Sequence, residues 1–181
     1  MDTDTPPAAA PPRQGFGGIS IRRASTSDVR AIARLVAGYA QERILLGKET
    51  VTYYEDVQEF QVAVAEGGVI GCGALHVLWE DLAEVRTLAV DPDWVGHGVG
   101  HLLLEALLRQ AKDVGVSRVF CLTFEVEFFR RHGFHQIEGT PVDAEVYGEL
   151  LHSADEGVAE FLDLARVKPN TLGNARMLRE L

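Results

Sequence analysis

The chain is short of sulfur and of positive charge. Among 181 residues there are two cysteines and two methionines, and 17 Lys and Arg stand against 27 Asp and Glu, for a net charge of −10. Cys72 and Cys121 lie in apolar, strand-like surroundings with no partner at zinc spacing, so they read as buried free thiols of a reducing compartment. The acidic balance excludes nucleic acid as a partner, because gripping a phosphate backbone takes a basic surface that releases counterions. No apolar run is long enough to cross a bilayer, and the first fourteen residues lack the basic region and hydrophobic stretch of a secretion signal. A cytoplasmic protein with no membrane partner is therefore expected. What the chain does have is apolar material, 46% of its residues, enough for one domain with a sizeable core. Residues 1–15 carry Pro6, Pro7, Pro11 and Pro12 among alanines and are expected to form a disordered tail, with the domain spanning 16–181.

Periodicity predicts the elements. Residues 19–23 alternate as a strand, and Ser25 or Thr26 with Asp28 caps a helix whose apolar positions are Val29, Ile32, Ala33, Val36 and Tyr39. A loop through Lys48 and a short helix over 51–58 lead to a strand over 60–64, which Gly67-Gly68 turns back onto a strand over 69–79. A strand over 83–90 precedes a long helix with Val99, Leu102, Leu103, Ala106, Leu107 and Ala111 on one face. Beyond it, a strand over 117–123, a short helix over 125–132 and a last strand over 157–164 are expected. The order predicts an α/β (α+β) fold, with a mixed, mostly antiparallel central sheet and helices on both faces.

Val90-Asp91-Pro92-Asp93-Trp94-Val95-Gly96-His97-Gly98-Val99-Gly100 runs from a strand end into glycines that open the long helix. Glycines let the backbone approach an anion, and the first helical turn presents unpaired N–H groups, so the segment suits a pyrophosphate. A plain glycine-rich connector is the alternative. A Rossmann fingerprint lacks its third glycine here, and a P-loop lacks its Gly-Lys-Ser/Thr ending. Glu84 and Arg86, two apart on one strand, share a face that Leu88 and Val90 should continue. That pair reads either as a buried acid–base group or as an ion pair on an exposed sheet face. His97 and His101 are four apart, but with no third ligand in view and a helix N-terminus opposing a cation, no metal is expected.

The Val90 to Gly100 segment resembles motif A of the GNAT N-acetyltransferases, with Val95 replacing the motif's basic or amide residue. Phe128-Phe129-Arg130-Arg131-His132-Gly133-Phe134 resembles the Phe-Tyr-x-x-x-Gly-Phe signature that lies beside the pantetheine arm in that family. Together with Glu84 to Pro92, Phe120 to Thr123, Arg22-Arg23-Ala24, Ile44-Leu45-Leu46, Lys168-Pro169-Asn170 and Asn174 to Leu178, these are similar to the amino-acid N-acetyltransferases, the N-acetylglutamate synthases that begin arginine biosynthesis, in the short single-domain actinobacterial form.

The resemblance implies acetyl-CoA as co-substrate, held by Leu88, Ala89, Val90, Val95, Gly96, His97, Gly98, Val99, Gly100, Phe128, Phe129 and Arg131. It implies acetylation of the α-amine of L-glutamate, with Glu84 as a base acting through water and a backbone N–H freed by a bulge near Leu88 to Val90 for the oxyanion. Lys48 would hold the substrate carboxylate, with Arg86, Asn170 and Arg176 as further contacts. Many relatives use a tyrosine acid where this chain has Phe129, which leaves Thr123 or a water to protonate the thiolate. Gly173-Asn174-Ala175 replaces the family's Arg-Arg-Ser, which makes glutamine a competitor to glutamate. An acetyltransferase for a polyamine, drug or protein N-terminus, or a non-catalytic acyl-CoA sensor, are the rival readings. The partners expected are a small amino acid and a second copy of the chain, joined through the C-terminal strands.

Overall fold

The computed structural model describes residues 14–15, 18–42, 44–45 and 47–181; the expected tail, apart from Gln14 and Gly15, and Leu46 of the Ile-Leu-Leu stretch lie outside the described residues. Among the described residues, eight strands form one sheet: β1 (Gln14–Gly15), β2 (Ile19–Arg23), β3 (Phe60–Ala65), β4 (Gly68–Trp79), β5 (Leu82–Val90), β6 (Arg118–Thr123), β7 (His135–Gln136) and β8 (Ala175–Glu180). Their spatial order is β1-β2-β3-β4-β5-β6-β8-β7, and every neighbouring pair is antiparallel except β5 and β6. The helices are α1 (Val29–Gln41), α2 (Thr50–Glu55), α3 (Val99–Asp113), α4 (Val126–Arg131), α5 (Ala144–Leu150), α6 (Glu156–Phe161) and α7 (Lys168–Thr171). This is the expected mixed, mostly antiparallel sheet, with α3 as the crossover that a parallel pair requires.

The inner strands β3 to β6 alternate between two packed faces. On one, Val29, Ile32 and Val36 of α1 meet Val62, Cys72, Ala74 and Ala89, while Val158 and Phe161 of α6 meet Leu82, Phe120 and Leu178. On the other, Leu104, Leu107 and Ala111 of α3 cover Leu75, Ala83, Val85, Val119 and Cys121. Burying each of these leucines stabilises the fold by about 1.5–3 kcal/mol. The helix approaches β4 closely because two strand positions carry no side chain: a Cβ on Gly71 would lie 2.9 Å from Val99, and one on Gly73 2.9 Å from Leu107. Both cysteines are free and buried, as expected, and desolvation pushes the Cys72 thiol up to about 12. Among the described residues, no helix is long and apolar enough to cross a membrane.

Three expectations need correction. The apolar run over 157–164 is not a strand: the Asp155 carboxylate accepts the Val158 N–H at 3.0 Å and caps it as helix α6. A continuous apolar stretch fits a buried helix as well as a buried strand, and the cap decides. The last strand is instead β8, where Arg176, Arg179 and Glu180 flank the buried Met177 and Leu178. It lies inside the sheet between β6 and β7, so its pairing edge is already used by this chain at Met177 and Leu178. Finally, Leu88 and Val90 do not continue the Glu84 face. β4 and β5 slip register between Cys72↔Ala89 and Ala74↔Arg86, where Thr87 adopts φ 57, and this bulge reverses the alternation. Ala89 joins the α1 side with Glu84 and Arg86, whereas Leu88 and Val90 turn toward α3.

Candidate active site

Between the α1 and α6 clusters, the same sheet face carries charge. Glu84 is 3% exposed, and its carboxylate takes two contacts from Arg86, Nε at 2.9 Å and Nη2 at 2.6 Å. The Arg86 guanidinium continues to Asp155, with Nη1 and Nη2 donating at 2.9 and 2.8 Å. His76, opposite Glu84 on β4, places Nδ1 2.6 Å from Glu59 and Nε2 3.7 Å from Asp155. Burial raises the proton affinity of Glu84 despite the charge of Arg86. Asp155 is half-buried, which would raise it, yet the hydrogen bonds and charge of Arg86 hold it down to about 2. Glu160 on α6 is pushed up to about 7 by burial and by the charge of Glu84. The N-terminus of α6 rests directly on this group, so that a Cβ on Gly157 would sit 2.0 Å from Glu84 Oε2.

A cavity of about 420 Å³ opens onto the cluster, and Glu84, Glu160, Lys48, Asn170 and Asn174 line it together. Lys48 Nζ contacts Asp56 at 3.2 Å and is the cavity's one cation, among the described residues, that is not committed to the Glu84 network. Arg86 also borders the space, but with four contacts spent on Glu84 and Asp155 it orients carboxylates rather than reaching a ligand. Arg176 does not join them. Its guanidinium donates to the carbonyls of Gly139, Glu160 and Phe161, closing the end of α6, and it lines a neighbouring cavity of about 580 Å³. Asp155, Glu160 and His76 were not singled out from the sequence, and their one local signal was the acidic cap before the 157–164 run.

β5 leads from this cavity to the glycine turn. Pairing between β5 and β6 reaches only Glu84↔Phe120, after which the two strands part and leave a cleft. The bulge at Thr87 lies at its mouth, where backbone groups are released from the ladder. Past Val90, whose carbonyl accepts the Tyr39 hydroxyl at 2.5 Å, a single turn over Pro92–Trp94 delivers Val95, Gly96, His97 and Gly98. Gly96 and Gly98 adopt φ 85 and 79, a left-handed geometry that favours glycine, with open space where a Cβ would point. The first intrahelical bond of α3 is Leu102 N–H to Gly98 C=O at 3.0 Å, so the amides of Val99, Gly100 and His101 precede it. Such a turn presents N–H groups and the positive end of a helix to an anion.

Phe128 leans over this turn, 3.5 Å from the Cβ position of Gly100, and forms a wall beside it. Phe129 faces inward instead, packed edge-on to Phe134 at 5.2 Å in the α3 core. Thr123 is buried, and its Oγ1 accepts the Glu125 N–H at 2.8 Å, shaping the entry to α4. Arg131 lies apart, bordering a cavity with His101, Glu105, His132 and Arg179.

The sequence and the fold have known counterparts. Residues 56–136 match the acetyltransferase (GNAT) domain family. An amino-acid acetyltransferase of Mycobacterium tuberculosis is 62% identical over 161 residues, covering 87% of this chain and 92% of that protein. The crystal structure of Rv2747 from Mycobacterium tuberculosis, in complex with CoA and NLQ, superposes with a TM-score of 0.86 at 62% identity, covering 89% of this chain and 98% of that one. An N-acetylglutamate synthase from Neisseria gonorrhoeae, complexed with coenzyme A and N-acetyl-glutamate, shares the fold at a TM-score of 0.73 and 24% identity, over 93% of this chain and 36% of that longer one.

Proposed function

The chain belongs to the GNAT acetyltransferase family, as an acetyl-CoA-dependent amino-acid acetyltransferase, and from that premise we propose that it acetylates the α-amine of L-glutamate or L-glutamine. With glutamate, the product would be the one that opens arginine biosynthesis. The observation that carries this reading is the shared cavity of Lys48, Glu84, Asn170 and Asn174, at the head of the cleft that starts at the glycine turn.

The amides of Val99, Gly100 and His101 hold the diphosphate, Phe128 borders the pantetheine, and the cleft between β5 and β6 brings the thioester to the bulge. Lys48 pairs with the substrate carboxylate. The amine attacks the thioester carbonyl, forming the C–N bond, and a backbone N–H at the bulge takes the developing oxyanion. An ammonium cannot attack, so Glu84 accepts the amine's proton through water; its raised proton affinity suits that role. Collapse breaks the C–S bond, and the thiolate leaves and takes up a proton, from water or the Thr123 hydroxyl. Arg86 and Asp155 act as positioning residues that aim the Glu84 carboxylate.

Glu160 supports a second assignment for the base, since its carboxyl lines the same cavity and is pushed up to about 7. As for the substrate side chain, two asparagine amides line the cavity while Arg176 is turned away, which favours a carboxamide at least as well as a second carboxylate.

Thiol release from acetyl-CoA, measured across glutamate, glutamine and polyamines, tests the reading. Turnover is expected with an amino acid, Glu84→Gln is expected to lower kcat about 100-fold or more, and Lys48→Met is expected mainly to raise KM for the amino acid. Activity on a polyamine and none on either amino acid refutes the substrate assignment. Normal kcat in Glu84→Gln with loss in Glu160→Gln moves the base to α6.

A further inference from the structure

We infer that His101, Glu105 and His132 form a binding site for a divalent transition-metal ion, with Zn²⁺ the best fit, on the side of α3 away from the acceptor cavity. His101 and Glu105 are one turn apart on α3, and His132 follows α4. One ligand atom from each lies within 4.8 Å of the other two. Sequence spacing hid the group, because His132 is distant along the chain. The pair weighed from spacing, His97 with His101, does not form; the His97 ring packs on Trp94 at 5.7 Å.

The hydrogen bonds set the ring chemistry. His132 Nδ1 lies 2.8 Å from the Phe128 carbonyl, which can only accept, so Nδ1 carries the proton and Nε2 presents a lone pair. That lone pair points at His101 Nδ1, 2.7 Å away. Two imidazole nitrogens this close share one proton, and a metal ion can take its place: His101 moves its proton to Nε2, and both lone pairs then face the ion. Two nitrogens bound at about 2.05 Å in a tetrahedral site stand about 3.3 Å apart, so the rings need to separate by only about half an ångström. His101 is exposed and can make that movement. The contact from His132 to a backbone carbonyl is the outer-shell partner that metal-ligating histidines normally have.

Two neutral nitrogens and one carboxylate leave a fourth position open, the ligand number of a zinc site that keeps a water. Arg131 and Arg179 border the same cavity of about 530 Å³. They oppose the bare cation but favour an anionic fourth ligand such as hydroxide. The ion would tie the first turns of α3, which carry the diphosphate amides, to the end of the helix that carries Phe128.

The test is Zn²⁺ titration of the chelator-treated full chain by calorimetry, with Co²⁺ as a spectroscopic probe. One Zn²⁺ per chain is expected, with tetrahedral Co²⁺ absorption, and affinity should fall at least about tenfold in His101→Ala and in Glu105→Gln, while His152→Ala binds as the parent does. No binding, or binding that survives His101→Ala, or equal loss in His152→Ala overturns the inference. Circular dichroism of each variant identifies any loss that comes from misfolding, and Glu105→Gln, which keeps shape and volume, then decides.

Discussion

Replacing Gly157 by alanine puts two physical effects in opposition. Gly157 lies within α6 at a backbone conformation open to alanine, and helix propensity alone makes Gly→Ala stabilising by about 1 kcal/mol. The new methyl, however, would lie 2.0 Å from Glu84 Oε2 and 2.6 Å from Arg86 Nη2. Ordinary contact begins near 3.4 Å, so something must move by 3.4 − 2.0 = 1.4 Å. Neither neighbour is a loose side chain end: Glu84 is 3% exposed, and Arg86 is held on its far side by Asp155 at 2.8 Å. Overpacking of this kind costs about 1–3 kcal/mol and outweighs the propensity gain. Moving a base by more than 1 Å also costs rate, about 100-fold. The expected outcome is a lower Tm with a kcat reduced about 100-fold and a smaller change in acetyl-CoA affinity, read by thermal melts, thiol release and calorimetry. A Tm at or above that of the parent with normal kcat refutes the packing of α6 on Glu84.

Gly98→Val asks a β-branched residue to adopt φ 79, at a strain of about 1–3 kcal/mol, and moves the α3 amides; acetyl-CoA affinity should fall at least tenfold in a folded protein, and parental affinity would falsify the diphosphate cradle. Glu160→Gln probes pH. A carboxyl raised from 4.5 to about 7 binds its proton more tightly when folded, so its contribution is full below 4.5 and is lost as pH rises through about 7. The variant should therefore melt above the parent at about pH 8 and close to it at about pH 4; no difference at the higher pH contradicts the buried, desolvated placement of Glu160.

The glycine turn and the helix behind it were legible because the signal is local: Gly96 and Gly98 are the residue type that tolerates positive φ, and the leucines of α3 repeat at helical spacing. Strands β2 to β6 were legible from alternation and apolar runs. β8 was not, since Arg176, Arg179 and Glu180 dilute its pattern to a two-residue core. α6 is ambiguous in sequence because Gly157, Val158, Ala159, Glu160 and Phe161 are all buried, so no regular polar face marks a helical period. At the site, Glu84 and Arg86 could be found because two residues on one strand share a face; they do form an ion pair, but on a buried face that lines a cavity and not on an exposed one. Asp155 and Glu160 of the α6 segment and His76 of β4 are distant from Glu84 in the chain or on another strand, and they meet it only through folding. The bulge was expected near Leu88 to Val90, but its effect on side-chain direction depends on register, which neither strand carries alone.

That one added residue at Thr87 makes β5 two strands in tandem. Its first half supplies Glu84 and Arg86 to the compartment under α6, and on the same face its second half gives the α1 core only the methyl of Ala89. Chemistry at the acceptor end and seating of the carrier can therefore vary independently along a single stretch of backbone. Deleting Thr87 would leave Leu88 and Val90 facing α3, because Arg86, Leu88, Ala89 and Val90 would then alternate as one regular strand, and what would be lost is the bulge and the backbone groups it releases.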